Sequence, residues 1–373
     1  MPQINIPSFR TIFREDEISF VLEHVEKVLK SGQLTLGRYT EEWEKSFANL
    51  VKVKYALAVN SGTSALEMIF RSVQPVSKTI LIPTNTNFAT VIAAMNAGFE
   101  IRLYDSHLYT HFEDIQKQCK DQFGVLVVVH IGGYITPEIS KIQNFCAEKN
   151  IILIEDAAHA HGAHIFEKYA GSWGIAGAFS FFPTKVITTA EGGMITTQAE
   201  SIYLKAKQLR DQGKDQNGMH VDHGNSWRLS EIHAIMGLAQ INTLLEDNAR
   251  RRQIIQLYEE NLNNNSMIQF PSIPETAQIS GHKCIAFVQS RRIKQKLTEY
   301  LKSKGIQLGK GVYDIPIHQQ PYFKKFNADS YPKSDCFGST HICLPLWRTI
   351  KPEEIMEIIR HIHLFKTISN SKD

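Results

Sequence analysis

The chain has 373 residues, with 43% hydrophobic and 21% charged side chains, which excludes disordered, collagen-like and disulfide-knot classes. Forty-one basic residues against 38 acidic ones leave a formal charge of +3, too small an excess to argue for nucleic acid. Five widely spaced cysteines without a CxxC pair argue against a zinc site or disulfide framework, so inert thiols and a cytoplasmic location are expected. The longest apolar run, Val125 to Val129, is far short of a membrane span, and the first ten residues lack a signal-peptide pattern.

In chain order, residues 15–31 place Ile18, Val21, Leu22, Val25, Val28 and Leu29 on one helical face, with Gly32 as a stop. Residues 55–59 are a short apolar run entering Asn60-Ser61-Gly62-Thr63-Ser64, where a loop opens a helix. Residues 79–83 read as a strand ended by Pro83, and 87–97 as a buried helix stopped by Gly98. Strands are expected at 99–105, 124–130 and 151–156, with a helix near Pro137 that turns Ile139, Ile142, Phe145 and Cys146 to one side. This alternation predicts an α/β fold with a mostly parallel central sheet flanked by helices. After about residue 245 a long polar-faced helix and a proline-punctuated segment follow. The last helix begins at Pro352, with Ile355, Ile358, Ile359 and Ile362 along one side. The expected division is a large domain over 1–245 and a smaller C-terminal α+β domain over 246–373.

Ligands of parallel sheets sit beyond the carboxyl ends of strands, so the loops after Val59, Pro83, His130 and Asp156 form one candidate site. Ser61, Gly62 and Thr63 can hold an anion at a helix N-terminus, although alone they read more readily as an N-cap with a tight turn. Asp156 ends a strand, where it can meet a ligand cation or cap the next helix. His159 and His161 lack a convincing third metal ligand, and no metal is expected. Lys185 follows Phe179-Ser180-Phe181-Phe182-Pro183-Thr184 and precedes Gly192-Gly193, so it is expected to be enclosed. Burial lowers a lysine's pKa and makes its amine a nucleophile. An anion cradle, a carboxylate and a lysine in this order match the needs of pyridoxal phosphate on an aspartate-aminotransferase-type fold.

At these residues the sequence resembles the DegT/DnrJ/EryC1/StrS family of pyridoxal-phosphate-dependent sugar aminotransferases. EDAAHAHGA, SFFPTKVITTAEGGMITT, NSGTSAL, NSWRLSEIHAIMGLAQI, YDIPIHQQPYF and ICLPLW carry the resemblance, from about Pro7 to about His363. It implies that Lys185 holds the cofactor as a Schiff base and shuttles the proton, and that Asp156 partners the pyridine nitrogen. It further implies phosphate contacts from Gly62, Thr63 and Ser180 with Ser61 or Ser64 nearby, and His159 beside the cofactor ring. Asn225 resembles a residue that reaches the cofactor phosphate of the neighbouring subunit, which implies a homodimer with shared active sites. His318 is expected near substrate. Asn87 stands where many members have a ring-stacking aromatic, so Asn87 or Phe88 is expected to face cofactor or substrate in an unusual way. The implied reaction moves an amino group from an amino acid, expected to be L-glutamate, to a nucleotide-linked keto-deoxysugar, with pyridoxamine phosphate as the intermediate cofactor form. A lysine rather than a histidine at 185 favours amino transfer over deoxygenation. Alternatives are an aminotransferase of a cyclic ketone such as an inosose, and a non-catalytic cofactor-binding regulator. A nucleotide-binding dehydrogenase ranks below both, since no GxGxxG follows a strand.

Overall fold

The computed structural model describes residues 5–118, 122–263, 265–309, 311–326 and 330–370. The seven-stranded central sheet takes β1 (Tyr55–Val59), β2 (Thr79–Pro83), β3 (Glu100–Tyr104), β4 (Val125–Val129), β5 (Ile152–Asp156), β8 (Ala176–Ser180) and β9 (Gly193–Thr197). Between them in sequence lie the short strands β6 (His164–Ile165) and β7 (Lys168–Tyr169). Later come β10 (Ile268–Gln269), β11 (Ala277–Gln278), β12 (Cys284–Val288) and β13 (His341–Leu344). The central order is β1-β9-β8-β5-β4-β2-β3. Pairing is parallel from β3 through β8, and β9 runs antiparallel to both β8 and β1. The expected mostly parallel α/β sheet is therefore present.

Both faces of this sheet are covered, and the strand alternation shows how. Leu57, Val59, Ile80, Ile82, Val125 and Val127 join one core with helix Gly62–Ser72 and much of the C-terminal half. Ala56, Ala58, Leu81, Leu126 and Val128 join the other core, with Trp43 and Phe47 of helix Arg38–Val51 and with Ile139 and Ile142 of helix Ile139–Glu148. Helix Arg38–Val51 was not foreseen. Its first turn is held from far away in sequence: Glu231 accepts from the amides of Gly37 (2.9 Å), Tyr39 (2.8 Å) and Thr40 (3.0 Å).

The C-terminal half contains the small sheet β10-β12-β13, antiparallel throughout, with helices Arg291–Ser303 and Pro352–Asn370. Two pairings tie the two halves of the chain together. Ile6 bridges Ile306 in parallel, and β11 adds to the β6–β7 hairpin. The 245/246 division falls in the first turn of helix Leu244–Leu262.

Helix Glu15–Ser31 ends as expected at left-handed Gly32 (φ 71°). Only half of its apolar face is covered within the chain, where Val28 is buried and Val21 and Val25 pack against the core with Trp43 and Phe47. Ile18, Leu22 and Leu29 are 38%, 67% and 62% exposed, while Glu17 and Val28 face inward. The sequence period located the helix and its Val21, Val25 and Val28 side but not the exposed edge, because Arg348 holds Glu17 on the buried side through a two-point ion pair. Among the described residues, Cys284 and Cys343 are buried and free, Cys336 is free and exposed, Cys146 is buried, and Cys119 lies outside them. No helix among the described residues is long and apolar enough to cross a membrane, and no group of acids, histidines and cysteines there could hold a metal ion.

Candidate active site

The ends of β1, β5 and β8 converge on one region. Ser61 caps helix Gly62–Ser72, its Oγ accepting from the Ser64 amide at 3.0 Å. That leaves the Gly62 and Thr63 amides as first-turn donors without helical acceptors. A Cβ on Gly62 would lie 2.8 Å from Ser180 Cβ, so only glycine lets the helix start approach the end of β8 this closely. The hydroxyls of Thr63 and Ser180 have no hydrogen-bond partner among the described residues. Free hydroxyls and helix amides facing one another suit a phosphate group. Ser61 differs from the expectation in that its side chain is engaged as the cap.

Asp156 closes β5 and is buried. Its Oδ2 accepts from Thr90 Oγ1 at 2.8 Å and its Oδ1 from the Ala158 amide at 3.2 Å. Burial raises the carboxyl pKa, and these two donors with Lys185 and His130 oppose the rise. Lys185 is half-buried in the loop after β8. Desolvation lowers its amine to about 8, Asp156 opposes this, and Lys283 adds repulsion. The loop is pinned from behind: Gln240 Nε2 donates to Thr188 O (2.7 Å), and the Thr188 amide donates to Gln240 Oε1 (3.2 Å). Beneath the site, buried Glu155 accepts from the Gly171, Trp173 and Gly174 amides and from His130 Nε2 at 2.6–2.8 Å.

His159 Nδ1 accepts from the Gly132 amide at 3.2 Å, which leaves Nε2 as its N–H. The ring stacks on His282 (4.4 Å) and Tyr313 (5.9 Å). Burial first, then the charges of Lys185 and Lys283, push its pKa well down, so the ring is neutral. His161 is wholly buried among Phe47, Phe179 and Phe181, and neither ring nitrogen has a partner. Desolvation brings it to about 3, so it too stays neutral.

The structure thus brings together Ser61, Gly62, Thr63, Asp156, His159, Ser180 and Lys185. It does not bring Asn225 to them. That residue is exposed, and its Oδ1 accepts from the Ser226 amide at 2.7 Å. Asn87 spends its side chain as the cap of helix Phe88–Asn96, and Phe88 is 58% exposed. From this segment it is Thr90, not Asn87 or Phe88, that touches Asp156. His318 is buried with both ring nitrogens engaged, Nδ1 with Thr84 Oγ1 (2.8 Å) and Nε2 with Asp335 Oδ1 (2.9 Å). It ties the end of β2 to helix Pro332–Thr340. Sequence reasoning missed Thr90, Gln240, His282 and Tyr313. Only Thr90 carried a local signal, the Thr86/Thr90 spacing of one helical turn, and their hydroxyls meet at 2.7 Å.

Known proteins resemble the chain along nearly its whole length. The model of the DegT/DnrJ/EryC1/StrS aminotransferase family matches residues 15–363. A GDP-perosamine synthase of Caulobacter vibrioides is 33% identical over 269 residues, 70% of this chain and 71% of that protein. A dTDP-3-amino-3,6-dideoxy-alpha-D-galactopyranose transaminase of Aneurinibacillus thermoaerophilus is 27% identical over 92% of this chain and 95% of its own. PseC of Helicobacter pylori, an aminotransferase involved in the biosynthesis of pseudoaminic acid, shares the fold with a TM-score of 0.89 at 24% identity, over 97% of this chain and 99% of its own. The chain belongs to the DegT/DnrJ/EryC1/StrS aminotransferase family, whose enzymes depend on pyridoxal phosphate.

Proposed function

We propose that the protein transfers an amino group from L-glutamate to a nucleotide-linked keto-deoxysugar, with Lys185 as its catalytic amine. The observation that carries this reading is the meeting of Lys185 and Asp156 beside the Gly62–Ser180 contact. When bound, pyridoxal phosphate supplies an aldehyde that condenses with amines and a ring that accepts carbanion electrons. Gly62, Thr63 and Ser180 would hold its phosphate, and Asp156 would hold a proton on its ring nitrogen. Burial makes Asp156 a better proton partner than an exposed aspartate. Neutral His159 would border the ring as a hydrogen-bond donor through Nε2. Lys185, with an amine near 8, would take the proton from the donor's α-carbon and return it to the cofactor side, then run the sequence in reverse on the sugar.

Relatives named for dTDP-, GDP- and UDP-linked sugars support a sugar nucleotide as acceptor. The exposed stripe Ile18, Leu22 and Leu29 supports a second copy of the chain as its cover, and exposed Asn225 is free to serve that copy's site. A cytoplasmic location accords with the free thiols of Cys284, Cys336 and Cys343. The test is a panel of dTDP-, GDP- and UDP-linked 3-keto and 4-keto deoxysugars with glutamate. Amination of a sugar nucleotide is expected. Amination of an inosose alone, or no half-reaction with any amino donor, would overturn the reading.

A further inference from the structure

A turn from the C-terminal half is built against the wall of the site. Buried Ser280 donates its hydroxyl to His159 O at 2.6 Å and accepts from the His282 amide at 3.2 Å, so one side chain fixes both histidines. A Cβ on Gly133 (φ 91°) would lie 2.0 Å from Ser280 Oγ, so the facing turn needs glycine to seat that hydroxyl. His282 then stacks on the His159 ring. Tyr313 stacks on the same ring from a left-handed backbone (φ 63°), a strained conformation for an aromatic residue. Its neighbour Asp314 clamps that conformation, accepting from Lys294 Nζ at 2.6 Å and from the Gly311 amide at 3.2 Å.

This row of three rings borders the reacting groups. Burial first, then the charges of His159, Lys283 and Lys185, hold His282 well below the usual histidine range, so its ring is neutral. Burial raises the Tyr313 phenol, and the Asp156 charge adds to the rise. His282 is only 6% exposed, yet its ring nitrogens have no hydrogen-bond partner among the described residues. Unlike those of His161, they are not sealed from solvent. The His159 Nε2 and the Tyr313 hydroxyl are likewise open and unpartnered among the described residues. A neutral imidazole offers one donor and one acceptor, and a phenol offers both. A carboxylate or phosphate only accepts and would leave the acceptors of this row unpaired. A sugar hydroxyl donates and accepts, so it can satisfy either nitrogen of His282.

We propose that His282 is a specificity-determining residue whose ring hydrogen-bonds a hydroxyl of the acceptor sugar. This rests on the aminotransferase reading above, but its test needs no turnover. UDP-glucose, dTDP-glucose and GDP-mannose are each titrated calorimetrically into the purified holoenzyme, with UDP, dTDP and GDP as the sugar-free controls. At least one sugar nucleotide should bind the unaltered enzyme more tightly than its control. His282→Phe keeps a stacking ring without nitrogens. It should weaken binding of that sugar nucleotide about three- to tenfold and leave binding of its control unchanged. His282→Gln retains a donor and an acceptor and should keep part of the affinity that His282→Phe loses. His282→Leu, smaller than phenylalanine, repeats the test if the larger ring crowds the stack. No gain from the sugar in the unaltered enzyme, an unchanged gain in His282→Phe and His282→Leu, or an equal loss for the sugar-free control would overturn the proposal. Sugar-dependent binding without amination of any keto sugar would instead count against the proposed reaction.

Discussion

Lys185 and Asp156 are tuned in opposite directions by the same cause. Both leave water, so the amine loses basicity and the carboxyl gains it, and each charge limits the other's shift. With an amine near 8, half of the Lys185 side chains are neutral at that pH, against about 0.3% for an ordinary lysine. Reconstitution of cofactor-free enzyme should therefore speed up about tenfold per pH unit below 8 and level off above it. Stopped-flow absorbance would measure this, and a rise continuing to pH 10 would contradict the lowered pKa. Thr90 donates to the charged form of Asp156, so Thr90→Val should raise that pKa further. The acid limb of the kcat/KM profile should move to higher pH, with a roughly tenfold loss in rate, the worth of one charge-assisted hydrogen bond. Lys185 and Asp156 were legible in the sequence because each sits beside a strand end with a distinctive local pattern. Gln240, His282 and Tyr313 were not, since they reach the site from distant elements and nothing in their own neighbourhoods marks them.

At the scale of elements, the site exists because a helix start and a strand end touch. Gly62→Ala would press a methyl into Ser180, and cofactor affinity should fall at least tenfold while the helix survives. Equilibrium dialysis would check it, and an unchanged affinity would remove this contact from the phosphate cradle. Glu231 plays the corresponding part for helix Arg38–Val51. Glu231→Ala leaves the buried Tyr39 and Thr40 amides without an acceptor and should cost about 3 kcal/mol, read as a lower urea midpoint. The buried strands and helices Phe88–Asn96 and Ile139–Glu148 followed from apolar runs and helical periods. Helix Arg38–Val51 escaped because its polar positions outnumber its apolar ones and its first-turn acceptor lies 191 and 192 residues from the amides it serves.

Across the whole molecule, the near-neutral composition conceals local imbalance: Glu17 and Asp247 both pair with Arg348, while the buried Nε of Arg251 has no hydrogen-bond partner among the described residues. The apolar stripe of helix Glu15–Ser31 is the other unbalanced surface. Leu22→Lys should shift the protein toward monomer in sedimentation and lower activity with it. If sites are shared, mixing inactive Asn225→Ala and Lys185→Ala chains should restore partial activity through hybrid dimers. That Ile18, Leu22 and Leu29 stay open while Val21, Val25 and Val28 pack inward could not be read from the period, because the burial of Glu17 by Arg348 is a contact across the length of the chain. The central claim, that Lys185 is the amine on which the chemistry turns, has a direct measurement. Borohydride reduction of the holoenzyme followed by peptide mass spectrometry should place the cofactor's mass on the peptide containing Lys185. Its appearance on Lys283, or on no lysine at all, would contradict the account.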